Sequence, residues 1–242
     1  MSWVISPSYK DPDFASVSLL LHGNGTNGST TITDNSPSPK TVTAVGNAQI
    51  STAIADPFGN STRGVLAFDG TGDYLTVPAN SAFDVASGNF TAECWFRVNA
   101  NPGLAFTTVY RRALFANYAN STSGWSLQLR GDATSYTGII FGDGDTSLID
   151  ASQAVSQNAW HHVAAVKNGS TCTLYFNGTS IGTGTKSTLF ASDTRQLFIG
   201  RLNALNAEAW DFPGYIDDLR ITKGVARYTA NFTPPTAQFP DI

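Results

Sequence analysis

Residues 159–185, AWHHVAAVKNGSTCTLYFNGTSIGTGT, hold two Asn-Gly pairs one strand-length apart, at Asn168-Gly169 and Asn177-Gly178. Asn-Gly favours the two-residue type I′ turn, whose positive φ angles match the twist of a β-hairpin. The spacing predicts a meander of three strands, 159–167, 170–176 and 179–182, turning on those two pairs. Cys172, Leu174 and Phe176 then share one face, and Thr171, Thr173 and Tyr175 the other, as a two-residue period requires. A chain that carries this meander contains an antiparallel sheet.

The same signals recur along the chain. Strand-like runs begin at Val17 (VSLLLHGNGT) and continue through TVTAVGNAQIST at 41–52 and NFTAECWFRVNA at 89–100. In the last of these, Phe90, Ala92, Cys94, Phe96 and Val98 form one face, opposite Glu93, Trp95 and Arg97. GVLAFDGTGDYLTVP (64–78) reads as a hairpin turning on 69–73, and further runs occupy 113–119, 124–132, 137–144, 195–203 and 214–222. No amphipathic helix and no internal repeat interrupts them. The 16 Asp against 2 Glu and 5 Lys favour turns over helices. With 242 residues, the economical solution is one all-β domain, a two-sheet antiparallel β-sandwich. Residues 1–16 read as an arm, polar and punctuated by Pro7 and Pro12, yet carrying Trp3, Val4, Ile5 and Phe14. The sandwich spans 17–233, and 234–242 form an extended, proline-containing tail.

Bulk charge excludes several functions. A net charge of −4 disfavours nucleic acid, whose binding needs clustered Lys and Arg. No apolar run reaches the roughly 20 residues of a membrane span, and the N-terminal residues lack a signal-peptide pattern, which points to synthesis in a cytoplasm. Cys94 and Cys172 fall on inward strand faces. Two buried thiols are expected there, with one disulfide as the alternative. The eight Asn-X-Ser/Thr sequons follow from a composition rich in those residues.

Few motifs carry chemistry. His161 and His162 are neighbours on a strand and point to opposite faces, so they cannot chelate one ion. One ring is expected packed and the other solvated. Asp143 and Asp145 share one side of a turn-like FGDGDTS segment and form a weak acid pair. No nucleophile elbow, P-loop or dinucleotide fingerprint is present, and no catalytic residue is assigned. Sugar recognition needs aromatic platforms beside hydrogen-bonding groups. Tyr118, Trp125, Tyr136 and Trp210 are the candidate platforms, with Asn117, Arg130 and Asp143 as polar contacts. Each aromatic has core packing as its alternative role.

Five segments in this order, LLLHGNGTNGSTTITD, GVLAFDGTGDYLTVP, NFTAECWFRV, NAWHHVAAVKNGSTCTLYFNGTSIG and GYIDDLRITKGVARYT, resemble laminin-G-like jellyroll domains of the concanavalin A-like lectin/glucanase superfamily. KGVARYTANFTPP (223–235) is similar to versions carried by tailed bacteriophages. The resemblance implies a jellyroll, Trp160 as a structural tryptophan, and at most a structural Ca²⁺ as cofactor. Carried over, the calcium ligands are Asp34 and Asp218, or Asp217, where a bulge would aim one carboxylate sideways; the alternative is that these aspartates cap the bulge or pair with Arg220 or Arg201. Glucanase relatives place carboxylates as Glu-X-Asp-X-X-Glu, a pattern that neither Glu93 nor Glu208 completes. The resemblance therefore implies a non-enzymatic virion-surface protein, on the capsid exterior or tail. Host-surface glycan and neighbouring virion subunits are the expected partners, and a homo-oligomer the expected form. A sugar-free decoration protein and a glycan depolymerase are the alternatives.

Overall fold

A computed structural model of the chain describes residues 10–85, 87–99, 110–120, 123–132, 134–143, 146–187, 195–203 and 211–242. Sixteen strands lie among them: β1 (Val17–Leu21), β2 (Thr31–Ile32), β3 (Val42–Val45), β4 (Gln49–Ser51), β5 (Val65–Asp69), β6 (Tyr74–Val77), β7 (Phe90–Val98), β8 (Tyr110–Asn120), β9 (Ser123–Gly131), β10 (Tyr136–Asp143), β11 (Thr146–Val155), β12 (His161–Asn168), β13 (Thr171–Phe176), β14 (Thr179–Thr185), β15 (Leu197–Ile199) and β16 (Pro213–Lys223). The only helical elements among the described residues are two short 3-10 turns, Phe14–Ser16 and Ser81–Phe83. No helix among them is long and apolar enough to cross a membrane.

The strands form two antiparallel eight-stranded sheets stacked as a jellyroll sandwich. The first runs β14-β13-β12-β7-β16-β5-β4, with β1 also on β16; the second runs β11-β10-β9-β8-β15-β6-β3-β2. β16 is long enough to serve two neighbours along one edge. Its first half pairs with β5 and its second half with β1, while β7 lies along the other edge. A bulge between Asp217 and Arg220 marks the change of partner, and Asp218 there takes a φ of 45°.

The alternation read from the sequence builds the core. Phe90, Ala92, Cys94, Phe96 and Val98 on β7 are all fully buried, as are Leu19, Leu127, Leu174 and Ile216 from other strands of the two sheets. Burying the Val, Leu, Ile and Phe side chains among them contributes roughly 1.5–3 kcal/mol each. Cys94 and Cys172 are free and buried, as two thiols rather than a disulfide.

The meander forms, with one turn shifted. β13 and β14 turn on Asn177-Gly178, both at positive φ (47° and 79°), which is the type I′ pattern. Between β12 and β13, Asn168 pairs with Thr171, so the loop is Gly169-Ser170. Only Gly169 has positive φ there (60°), the type II′ pattern with glycine first.

Two expectations fail. Residues 64–78 are not a hairpin: β5 joins the first sheet and β6 the second, so the 69–73 turn crosses the sandwich. The Asp73 carboxylate fixes this corner by accepting the backbone N–H groups of Asn47 and Asp69. The second failure concerns the histidine pair. His161 packs against Phe96 and Phe176 on the core side, and His162 points outward, yet both are buried. The outer face at β12 and β13 is not solvated because residues 225–239 return across it. Ala226, Tyr228 and Phe232 pack on Ala164, Val166 and Tyr175. Tyr228 and Phe232 stack at 3.6 Å, and Phe232 N–H donates to the Gly178 carbonyl. β11, in the polar stretch after Asp145, is a strand that the runs read from the sequence do not include.

Candidate functional site

The structure distributes the sequence-predicted residues rather than gathering them. On β9, Trp125 points into the core, 1% exposed, against Phe90 and Phe115, while Arg130 points out. Trp125 therefore serves as core, not as a platform. Tyr136 is corrected in the same way: it is buried within the main core cluster. Burial pushes its phenol up, against the opposing pull of Arg112. Asn117 is buried, and its amide donates to the Arg195 carbonyl at 2.8 Å, a strut between segments. Tyr118 packs beside Ala113, Ala116 and Leu202. Arg130 lies over Gly138, where any added Cβ would meet the guanidinium, and pairs with Asp150 at 2.8 Å. Asp143 closes β10 opposite Thr146. Trp210, Asp145 and Glu208 lie outside the described residues.

The two calcium candidates sit near β1 but face different partners. Asp34 accepts four hydrogen bonds: Leu20 N and Ser36 N on Oδ1, Ser36 Oγ and Lys40 N on Oδ2. An ionised carboxylate has about four lone-pair directions, so these fill it. Asp218 contacts His22 Nδ1 through Oδ1 and accepts Phe239 N–H on Oδ2. Asp217 Oδ1 accepts the Asp218 N–H, and Asp217 is buried against Asp218 and Asp56, so its carboxyl is pushed well above the usual range by burial and then by Asp218. Among the described residues, no three His, Cys, Asp or Glu side chains assemble into a metal-holding group.

The charged groups on the outer face of the first sheet build a closed network. Arg220 binds Glu93 and Asp11, Arg227 binds Asp11 through both terminal nitrogens, and Tyr228 OH donates to Glu93 at 2.8 Å. A cavity of about 650 Å³ beside Pro12, Arg227, Tyr228, Pro235 and Phe239 borders it. Its guanidinium groups are already matched by these carboxylates. Asp11 N–H also donates to the Ile242 carbonyl, and Arg220 lies 3.7 Å over the Phe239 ring, so the ends of the described chain dock on their own domain. This network is structural.

Besides the exposed edge strand β14, a further part of that outer face stays open. Residues 225–239 cover β12 and β13, and the 53–63 loop covers Trp95, with Phe58 edge-on to its ring at 6.0 Å. Beyond them lies a trough of about 590 Å³ over β4, β5 and β16. Gln49, Ala67 and Tyr215 stand side by side across it, because Gln49 opposes Ala67 and Ala67 opposes Tyr215. A methyl group between an amide and a phenol ring makes the hollow. Asn47, Asp69, Asp73 and Asn99 close one end and Ser51 lies along the floor. Asp73 is held by two backbone N–H groups, and burial pushes its carboxyl above the usual range. An aromatic ring beside amides and hydroxyls can stack on and hydrogen-bond to a polyol. Sequence reasoning missed this set. The available signal was parity: Ile216 faces the core, so Tyr215 faces out.

The fold and this trough define a jellyroll β-sandwich with an open polar hollow on one outer face. Residues 69–227 match the laminin G model of the Concanavalin A-like lectin/glucanases superfamily, and the chain belongs to that family. No curated protein sequence matches the chain. Among solved structures, it resembles the binding domain of Paraclostridial Mosquitocidal Protein 1 (TM-score 0.63, 18% identity, 87% of this chain and 49% of that one). It is also similar to the botulinum neurotoxin serotype D/C binding domain (TM-score 0.60, 19% identity, 88% of this chain and 50% of that one). The chain thus spans about half the length of these toxin domains. Domain 4 of AbnA, an extracellular arabinanase of Geobacillus stearothermophilus solved in complex with arabinotriose, aligns over 87% of this chain and 95% of its own, at TM-score 0.54 and 18% identity. At these identities the likeness establishes the fold.

Proposed function

We propose that this chain is a non-enzymatic, lectin-like jellyroll that binds glycan through the Tyr215 trough. The observation that carries the reading is the trough itself, a polar hollow with an aromatic wall on a face partly covered by the chain's own segments. Support comes from the family, and from a fold shared with a domain solved with a bound arabinose oligosaccharide. Hydrolysis is disfavoured because Asp73, the buried carboxyl of the trough, is tied to two backbone N–H groups as a corner clamp. The similarity of 223–235 to tailed-phage sequences extends the proposal to a virion surface, on capsid or tail. There the glycan is the host's, and neighbouring virion subunits or further copies of the chain are partners. The test is glycan-array binding by the wild type and Tyr215→Ala, with Ca²⁺ and with chelator. Binding that depends on Tyr215 supports the reading, and loss in chelator gives bound calcium a role in it. Failure to bind any glycan, with retention on assembled particles, would leave a decoration protein instead.

A further inference from the structure

The register row that makes the trough also fixes what can fill it. Tyr215 stands between Ala67 on one side and Arg97 on the other, since it opposes both across β16. The side chain therefore lines the hollow and has the Arg97 position behind it. Two inter-strand spacings of about 4.8 Å separate the Gln49 and Tyr215 backbones, which leaves width for a sugar ring laid against the phenol.

The charge of the lining is one-sided. Asp69 and Asp73 are its charged side chains, and no Lys, Arg or His is among the described residues that line it. The remaining polar groups are amides and hydroxyls: Asn47, Gln49, Ser51 and Asn99, with Thr30 at the rim. Amides donate and accept, as sugar hydroxyls do, so each pairing can be satisfied without a charge. A carboxylate or sulfate on the ligand would bring acceptor oxygens to a hollow whose ionisable groups are themselves acceptors.

We infer that the trough selects uncharged oligosaccharides over sialylated or uronate-bearing ones. The inference rests on the glycan-binding reading above and adds the class of sugar. The full chain is titrated with neutral gluco-, galacto-, manno- and arabino-oligosaccharides and with their sialyl- or glucuronosyl-terminated counterparts. The neutral series binds, and the acidic series binds at least about tenfold more weakly, a difference near 1.4 kcal/mol. Tyr215→Ala weakens neutral binding by about tenfold through loss of the stacking face. Gln49→Ala, at an exposed position, weakens it without shifting the unfolding temperature. Asp69→Asn raises binding of the acidic series by removing one like charge. Preference for acidic sugars, abolished by Arg97→Gln, would overturn the inference while leaving glycan binding in place. Neutral binding that survives both Tyr215→Ala and Gln49→Ala would overturn the assignment to this trough. Absence of binding to either series would overturn the glycan reading and this inference with it.

Discussion

Arg220 donates from both Nε and Nη2 to one oxygen of Glu93, Oε1, at 3.0 and 2.8 Å, with both side chains buried. Their backbones pair across β7 and β16, so the ion pair is a cross-strand contact sealed by residues 225–239. Burial alone would push the Glu93 carboxyl up. The Arg220 guanidinium and then His162, whose Nε2 lies 3.3 Å away, more than reverse this and hold it at about 2.

The pH dependence follows from that direction. Because the folded-state value is depressed from 4.5, the stabilisation is present above 4.5 and is lost as pH falls towards about 2. Glu93→Gln is expected to cost about 3 kcal/mol at neutral pH, as expected when one partner of a buried pair is removed. In urea unfolding, the gap between wild type and Glu93→Gln should close as pH falls through this window. A gap that stays constant would show that the carboxylate charge is not its source.

The two glycine turns of the meander separate conformational strain from packing. Gly169 has φ +60° and open space where a Cβ would stand, whereas a Cβ on Gly178 (φ +79°) would overlap the Phe232 carbonyl. Gly169→Ala is expected to cost roughly 1–2 kcal/mol, the backbone penalty of the first type II′ position alone. Gly178→Ala should cost about 3 kcal/mol, because it also displaces the Phe232 hydrogen bond. Equal unfolding midpoints for the two variants would contradict the docking of 225–239 on this turn.

Trp125, with its ring between Phe90 and Phe115, should behave as core. Trp125→Ala is expected to lower stability by about 3–5 kcal/mol, and Trp125→Phe to retain glycan binding. A Trp125→Ala variant as stable as wild type but unable to bind glycan would restore the platform role.

What the sequence disclosed and what it withheld divide along physical lines. The inward face of β7 was legible because Phe90, Ala92, Cys94, Phe96 and Val98 are apolar at every second position, a local property. The 69–73 turn was legible as a reversal, but its flanking strands enter different sheets because β5 finds β16 and β6 finds β15, both far along the chain. The burial of Glu93 and His162 is not legible locally, because their cover is supplied by residues 225–239, more than 60 positions away. Trp125 and Tyr215 show the same limit at the site. Alternation gives the parity of each strand, and only the packed sandwich shows that Trp125 is buried while Tyr215 walls an open hollow.

Amide chemical-shift mapping of the isotope-labelled chain, titrated with the glycan that an array selects, tests the assignment most directly. The expected result is saturable perturbation concentrated at Gln49, Ala67, Asn99 and Tyr215, and absent from the same titration of Tyr215→Ala. Perturbation centred instead on Tyr118 and Arg130, or no perturbation with any glycan, would contradict it.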